Sequence, residues 1–147
     1  MTELEPTTAS KRPEFRNIHA FRDLPGYRLP LAGLVSILHR ISGALMFVLL
    51  PFIIWMFDTS LSSEISFARF KNVFTAGAFG MAGWMIKLVA LALIWAYLHH
   101  LFAGLRHLWM DVNHDVGKEF GKSSAAVTLV FSAGLTVLLG AKLFGLY

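Results

Sequence analysis

The sequence predicts an all-α membrane protein with three transmembrane helices. Of its 147 residues, 56% are hydrophobic and 15% charged, and the mean hydropathy is +0.60. Soluble domains carry about 25% charged residues, so too few polar residues remain here to coat a water-facing surface, which argues against three buried helices of a soluble domain. Three stretches lack Asp, Glu, Lys and Arg: Ile41–Phe57, Leu88–Leu105 and Ser123–Ala141. Each approaches the roughly 20 residues that cross a bilayer core.

The N-terminal region, residues 1–30, is expected to be a polar, Arg-rich tail. Leu4–Pro13 shows no apolar period, and we expect it to be disordered or bound to a partner. Pro25, Gly26 and Pro30 predict a turn that leads to the membrane surface. The first apolar run follows about 30 mostly polar residues and precedes no small-residue cleavage site, so it is not expected to be a secretory signal.

The transmembrane domain is predicted to cover residues 31–147, with helices at about 31–57, 81–109 and 123–144. Pro51 lies inside the first helix and is expected to kink it. Asp58–Glu64 is predicted to be a polar loop. Ile65–Phe79 would make the next helix too long for a bilayer, and its phenylalanines share one face, so it is predicted to lie at the interface. Asp111–Lys122 is predicted to be a charged loop.

The distribution of basic residues predicts the orientation. The N-terminal tail carries five of them: Lys11, Arg12, Arg16, Arg22 and Arg28. The second loop region carries three more: Arg106, Lys118 and Lys122. The first loop has only Arg69 and Lys71, and Lys142 lies near the C-terminus. With three spans, the tail and the second loop share a side, and the excess of Lys and Arg predicts that this side is cytoplasmic.

Ionisable side chains inside a membrane span are costly and mark candidate functional sites. The first helix opens with Ser36, His39 and Arg40, at spacings i, i+3 and i+4 that place them on one face, and Gly43 continues that face. The start of the first helix and the end of the second lie at the same surface. The group therefore faces polar residues of the second helix at similar depth.

The second group lies at the end of the second helix. His100, Gly104 and His107 are spaced i, i+4 and i+7, with Arg106 beside them. A neutral imidazole is an axial ligand for haem iron, and a nearby glycine lets a flat macrocycle approach the backbone. Arg40, Arg106 and His39 are candidate partners for haem propionates, and Ser36 and Arg40 are candidate donors to quinone carbonyls.

Simpler interpretations of these residues stay open. Arg40 could snorkel to the interface, His107 could be an ordinary interfacial residue, and His100 could be only a hydrogen bonder. Ser36 could bond its own helix, and the glycines could mark close helix contacts. His99 lies about 100° around the helix from His100, since a helix turns every 3.6 residues. It is expected to face a partner helix or lipid head groups.

Two segments resemble the cytochrome b556 subunit family of succinate dehydrogenase. Ser36–Gly43, with the sequence SILHRISG, is similar to the signature that opens that family's first helix. The pattern HxxxGxRHxxxD, from His100 to Asp111, is similar to its second signature. Arg12-Pro13 and Arg28–Leu31 also resemble the family pattern. The two signatures together are specific, and the resemblance covers nearly the whole chain.

The resemblance implies roles for individual residues. His100 would be one axial ligand of a low-spin haem b. Ser36 and Arg40 would line a ubiquinone site. His39 and His107 would lie near the haem, with His39 towards its propionates.

The resemblance also implies partners. A second small three-helix anchor subunit, an iron–sulfur subunit and a flavoprotein that oxidises succinate would complete the enzyme, in the inner (cytoplasmic) membrane and without nucleic acid. This chain has no cysteine, so another subunit must hold any thiolate-bound cluster. The third helix has no histidine, and the resemblance assigns His39 elsewhere, so a second haem ligand is expected from another chain.

Three alternative functions differ in class. The chain could be the anchor of a quinol:fumarate reductase, which would use the same groups in the opposite direction. A di-haem cytochrome needs more intramembrane histidine pairs than the sequence offers. A cofactor-free helical subunit of a transporter is the remaining alternative, and an optical spectrum separates it from the others.

Overall fold

The computed structural model describes residues 19–147, and its regular elements there are helices. They are α1 (Ala20–Asp23), a 3-10 turn (Leu24–Gly26), α2 (Leu31–Val48), α3 (Leu50–Leu61), α4 (Glu64–Val73), α5 (Gly83–Asn113) and α6 (Lys118–Leu143). The expectation of disorder or partner binding for residues 4–13 lies outside the described part of the chain.

Three helices, α2, α5 and α6, are long and apolar enough to cross a membrane, which confirms the predicted fold class. The 31 residues of α5 make a helix about 46 Å long at about 1.5 Å per residue. It therefore exceeds a bilayer core about 30 Å thick. Beyond the apolar stretch, α5 continues as a helix past Asp111 to Asn113. The charged connection that was expected over residues 111–122 shrinks to 114–117, where Asp115 Oδ1 accepts a hydrogen bond from Gly117 N at 3.0 Å.

The stretch predicted as one first helix over 31–57 is two helices, α2 and α3, which meet at Leu49. Pro51 lies in the first turn of α3, where a missing N–H costs nothing. The polar residues after Phe57 were expected to form a loop, but α3 continues to Leu61. In this last part of α3 the polar side chains bond back to the helix: the Thr59 hydroxyl donates to the Trp55 carbonyl and that of Ser60 to the Phe57 carbonyl, both at 2.7 Å.

The segment predicted to lie at the interface contains α4. Its start is fixed by a reciprocal cap, in which Ser66 N donates to Ser63 Oγ at 3.1 Å and Ser63 N donates to Ser66 Oγ at 2.9 Å. The Phe70 ring lies between those of Phe67 and Phe74, at 6.2 and 5.2 Å between centroids. The chain then turns through Gly77, at φ 97°, before α5 begins.

The helices meet around small side chains. α5 packs against both α2 and α6, and α2 also contacts α6. Val35, Ala103 and Ala125 are fully buried where the three helices meet. Large apolar side chains lie mostly outside, as on Phe47 and Val130, which are 78% and 70% exposed. Close packing of small residues is how membrane helices associate, since lipid gives them no hydrophobic driving force.

We expect Ala103→Leu to destabilise the assembled protein by about 1–3 kcal/mol, because the added atoms have no space at the helix crossing. Thermal unfolding in detergent measures the effect. Ala133→Leu is the matched control, since Ala133 lies on the exposed side of α6. Equal melting temperatures for the two variants would contradict the packing described here.

Candidate functional site

Three imidazoles from two helices form a cluster. His39 lies on α2, and His100 and His107 lie two turns apart on α5. The ring of His39 stacks on that of His100, with centroids 4.1 Å apart and planes at 23°. It also lies 5.4 Å from the ring of His107. The structure thus brings together two of the sequence-predicted groups. Among residues 19–147, no group of three or more His, Cys, Asp or Glu side chains is arranged to hold a metal ion by itself.

The ring of His100 is anchored to the backbone of α2. Its Nδ1 lies 3.1 Å from the carbonyl oxygen of His39. A carbonyl only accepts, so Nδ1 carries the hydrogen and donates it, which leaves the lone pair on Nε2. This is the hydrogen bond that fixes the tautomer and orientation of metal-ligating histidines. His100 is half-buried, as a ligand to an additional group requires.

Two glycines beside the cluster remove steric bulk. A Cβ at Gly43 would lie 2.8 Å from Cε1 of His100, closer than such atoms approach. The bare backbone at this position therefore lets the His100 ring reach α2. A Cβ at Gly104, one turn after His100, would meet only Nε2 of His39, at 3.8 Å. No side chain therefore projects from α5 at this position, and a flat macrocycle could approach the backbone there.

Ser36 and Arg40 flank the cluster on α2. Ser36 is half-buried and Arg40 is exposed, so the Arg40 side chain is accessible from outside the three-helix unit. His39, which lies on the same face of the helix, belongs to the imidazole cluster. The hydroxyl and guanidinium thus form a polar strip that another molecule or chain can reach.

His99 faces α2 and α6 of its own chain. Its ring is 0% exposed, with Nδ1 3.4 Å from Ser132 Oγ and Nε2 3.5 Å from the Val35 carbonyl oxygen. It also stacks on Trp95, at 5.3 Å between centroids. Of the two expectations for His99, a partner helix or lipid head groups, the structure excludes the head groups: the ring faces helices, and both of them belong to its own chain. A serine near the middle of α6 was the only sequence signal for this contact, and sequence reasoning missed it.

Arg106 also points to α6. The residue is 8% exposed, and its Nε donates to Ser124 Oγ at 2.9 Å while Nη2 lies 3.4 Å from the Gly121 carbonyl oxygen. His107, one residue on, turns instead towards His39. The structure therefore shows Arg106 as a bridge between α5 and α6, and its predicted propionate contact stays a prediction for the remaining N–H groups.

Comparisons with known proteins agree on one family. A family profile described as "Succinate dehydrogenase/Fumarate reductase transmembrane subunit" matches residues 11–139. The chain is 34% identical over 118 residues to the succinate dehydrogenase cytochrome b556 subunit of Coxiella burnetii, covering 80% of this chain and 90% of that protein. The protein of the same name from Paracoccus denitrificans is 31% identical over 117 residues, covering 76% and 81%. That of Rickettsia felis is 25% identical over 139 residues, covering 95% and 98%.

We expect Arg106→Leu to cost about 1.5–3 kcal/mol of stability, the usual range for losing hydrogen bonds from a charged group. Ser124→Ala should cost less, because it removes one acceptor only. If the two groups act as a pair, the double variant should be less damaging than the sum of the single variants. Thermal unfolding of the four proteins in detergent measures this, and strict additivity would contradict the bridge.

Proposed function

Because this chain belongs to the succinate dehydrogenase/fumarate reductase transmembrane subunit family, we propose that it is the haem b and ubiquinone-binding anchor of a succinate dehydrogenase. The observation that carries the proposal is His100, an imidazole held through Nδ1 by a backbone carbonyl at 3.1 Å within a membrane-spanning helix pair. Succinate chemistry belongs to a flavoprotein subunit and cluster chemistry to an iron–sulfur subunit. This chain is not part of the succinate-oxidising core.

The described residues fit a haem b. His100 offers Nε2 to iron, and the bare backbone at Gly104 accommodates the edge of a flat ring. Positive or hydrogen-bonding groups for the propionates come from His39, Arg40 and His107. The N–H groups of Arg106 that do not bond α6 are a further candidate. Bound there, haem supplies one-electron transfer within the membrane. The protein's part is to orient the ligand and to neutralise the propionate charge.

A second ligand to the haem iron would come from a partner anchor subunit. The rings of His39 and His100 lie face to face at 4.1 Å, which leaves no room for a macrocycle between them, so His39 would not hold the iron together with His100. α6 contains no histidine. The outward-facing apolar surfaces of the three spans provide the area on which such a partner packs.

Ser36 and Arg40 form this chain's part of the ubiquinone site. A quinone carbonyl becomes more basic as electrons arrive, so a hydroxyl and a guanidinium bind the reduced species better than the oxidised one. Both residues lie at the start of α2, on the side where basic residues predict the cytoplasm and where the soluble subunits dock. The exposed guanidinium of Arg40 is accessible to a quinone that enters from the membrane.

The anchor of a quinol:fumarate reductase is the second candidate, since the family description covers both enzymes. The same hydroxyl, guanidinium and imidazoles serve electron flow in either direction. The names of the relatives, all succinate dehydrogenase subunits, favour the first candidate.

We expect His100→Ala to abolish or severely perturb the low-spin haem spectrum of the assembled complex, because iron loses an axial ligand. His99→Leu is the comparison: the neighbouring ring faces α2 and α6 and is not a proposed ligand, so the complex that still assembles should largely keep the spectrum. Reduced-minus-oxidised difference spectra measure both. An unchanged spectrum in His100→Ala would refute the ligand assignment.

We expect Ser36→Ala and Arg40→Leu to slow ubiquinone reduction while succinate oxidation with an artificial acceptor survives. A hydrogen bond from a charged group is worth about 1.5–3 kcal/mol. If all of this energy stabilises the transition state, its loss slows quinone reduction roughly 10- to 100-fold. Ser123→Ala, an exposed serine at the same membrane surface, serves as the control. Parallel loss of both activities in Arg40→Leu would indicate failed assembly and count against the assignment.

A further inference from the structure

We propose that the Ser42 hydroxyl tunes the reduction potential of the haem by competing with His100 for the carbonyl oxygen of His39. Ser42 would act only through the carbonyl of His39 and the ring of His100, so it is a positioning and tuning residue. The inference rests on the proposed function, because it requires His100 to be an iron ligand.

The geometry joins three groups at one oxygen. Ser42 is 0% exposed, and its hydroxyl donates to the His39 carbonyl at 2.9 Å. His100 Nδ1 approaches the same carbonyl oxygen at 3.1 Å. Within α2 that oxygen also faces the backbone N–H of Gly43, four residues on. A buried serine that bonds back to its own helix is ordinary, but here the shared carbonyl also receives a side chain from another helix.

A carbonyl oxygen has two lone pairs, and here three donors share them. Each added donor weakens the others, so the Ser42 hydroxyl reduces the strength of the bond from His100. Ser42 Oγ also lies 3.4 Å from His100 Nδ1, where it could accept a hydrogen bond and oppose this effect. That contact is at the limit of hydrogen-bonding distance, whereas 2.9 Å is close to ideal. Competition for the carbonyl therefore outweighs acceptance by the hydroxyl.

The strength of the hydrogen bond at Nδ1 would affect the reduction potential of an iron bound at Nε2 of His100. A stronger hydrogen bond at Nδ1 makes an imidazole a more basic ligand, and a more basic ligand favours ferric over ferrous iron. By weakening that bond, Ser42 raises the reduction potential and makes the haem easier to reduce. Removing the hydroxyl should shift the potential downwards while His100 stays in place.

The chain contains a matched control in Ser132. It is 1% exposed, its hydroxyl donates to the Leu129 carbonyl at 3.2 Å, and its Oγ lies 3.4 Å from Nδ1 of His99. Ser132→Ala thus removes the same atom from the same kind of site beside the histidine that is not a proposed ligand. Any shift shared by Ser42→Ala and Ser132→Ala comes from packing in general.

The experiment is a redox titration of haem absorbance in the assembled membrane complex. We expect Ser42→Ala to lower the equilibrium constant for reduction by up to about tenfold, which is about 59 mV for one electron, and to shift the EPR g-values of the ferric haem. Ser42→Thr, which keeps the hydroxyl, should keep the wild-type reduction potential. Ser132→Ala should leave it unchanged.

An unchanged or raised potential in Ser42→Ala would overturn the inference, as would an equal shift in Ser132→Ala. If Ser42→Ala loses haem, Ser42→Cys replaces it as the test. Its S–H group is a weaker donor than a hydroxyl, so the potential should fall, but by less than complete loss of the donor would cause. A wild-type potential in Ser42→Cys would then overturn the inference. The proposed function fails separately: it falls if His100→Ala keeps its haem spectrum. If His100→Ala loses haem and the Ser42→Ala potential is unaltered, only the tuning role is refuted.

Discussion

The close approach of α2 and α5 at Gly43 is the constraint on which the site depends. Only a bare backbone at this position lets the His100 ring reach the carbonyl of His39, and a Cβ there would lie 2.8 Å from the ring. That hydrogen bond sets the orientation of His100, and the His39 ring lies beside both His100 and His107. The cluster is therefore a product of helix packing, and the imidazoles do not assemble it by themselves.

Polar side chains bridge the spans because lipid offers them no alternative partner. His99 lies between α2 and α6, and Arg106 joins α5 to Ser124 on α6. In a bilayer such bonds and the packing of small residues hold helices together, while the large apolar side chains face lipid or other subunits. The adjacent residues His99 and His100, about 100° apart around α5, consequently differ in surroundings: His99 is enclosed between α2 and α6, whereas His100 contacts α2 and stays half-buried.

The candidate site is open on one side. Arg40 is exposed and Ser36 and His100 are half-buried, so the groups with functional chemistry are offered outwards from the three-helix unit. A cofactor and a partner helix would complete their surroundings. This arrangement suits the proposed role of an anchor, whose haem and quinone would be shared with neighbouring subunits.

The sequence by itself determined the membrane class, the number of spans and the common depth of the Ser36 and His100 groups, because hydrophobic length and helical period depend only on the order of residues. It did not determine the break at Leu49, the continuation of α3 to Leu61, or the directions of His99 and Arg106. The directions of His99 and Arg106 depend on which neighbour occupies each face of α5. Helical period gives the angle between two side chains but not the helix that each one meets, and only the tertiary structure decided that His100 meets the backbone of α2 while His99 meets Ser132.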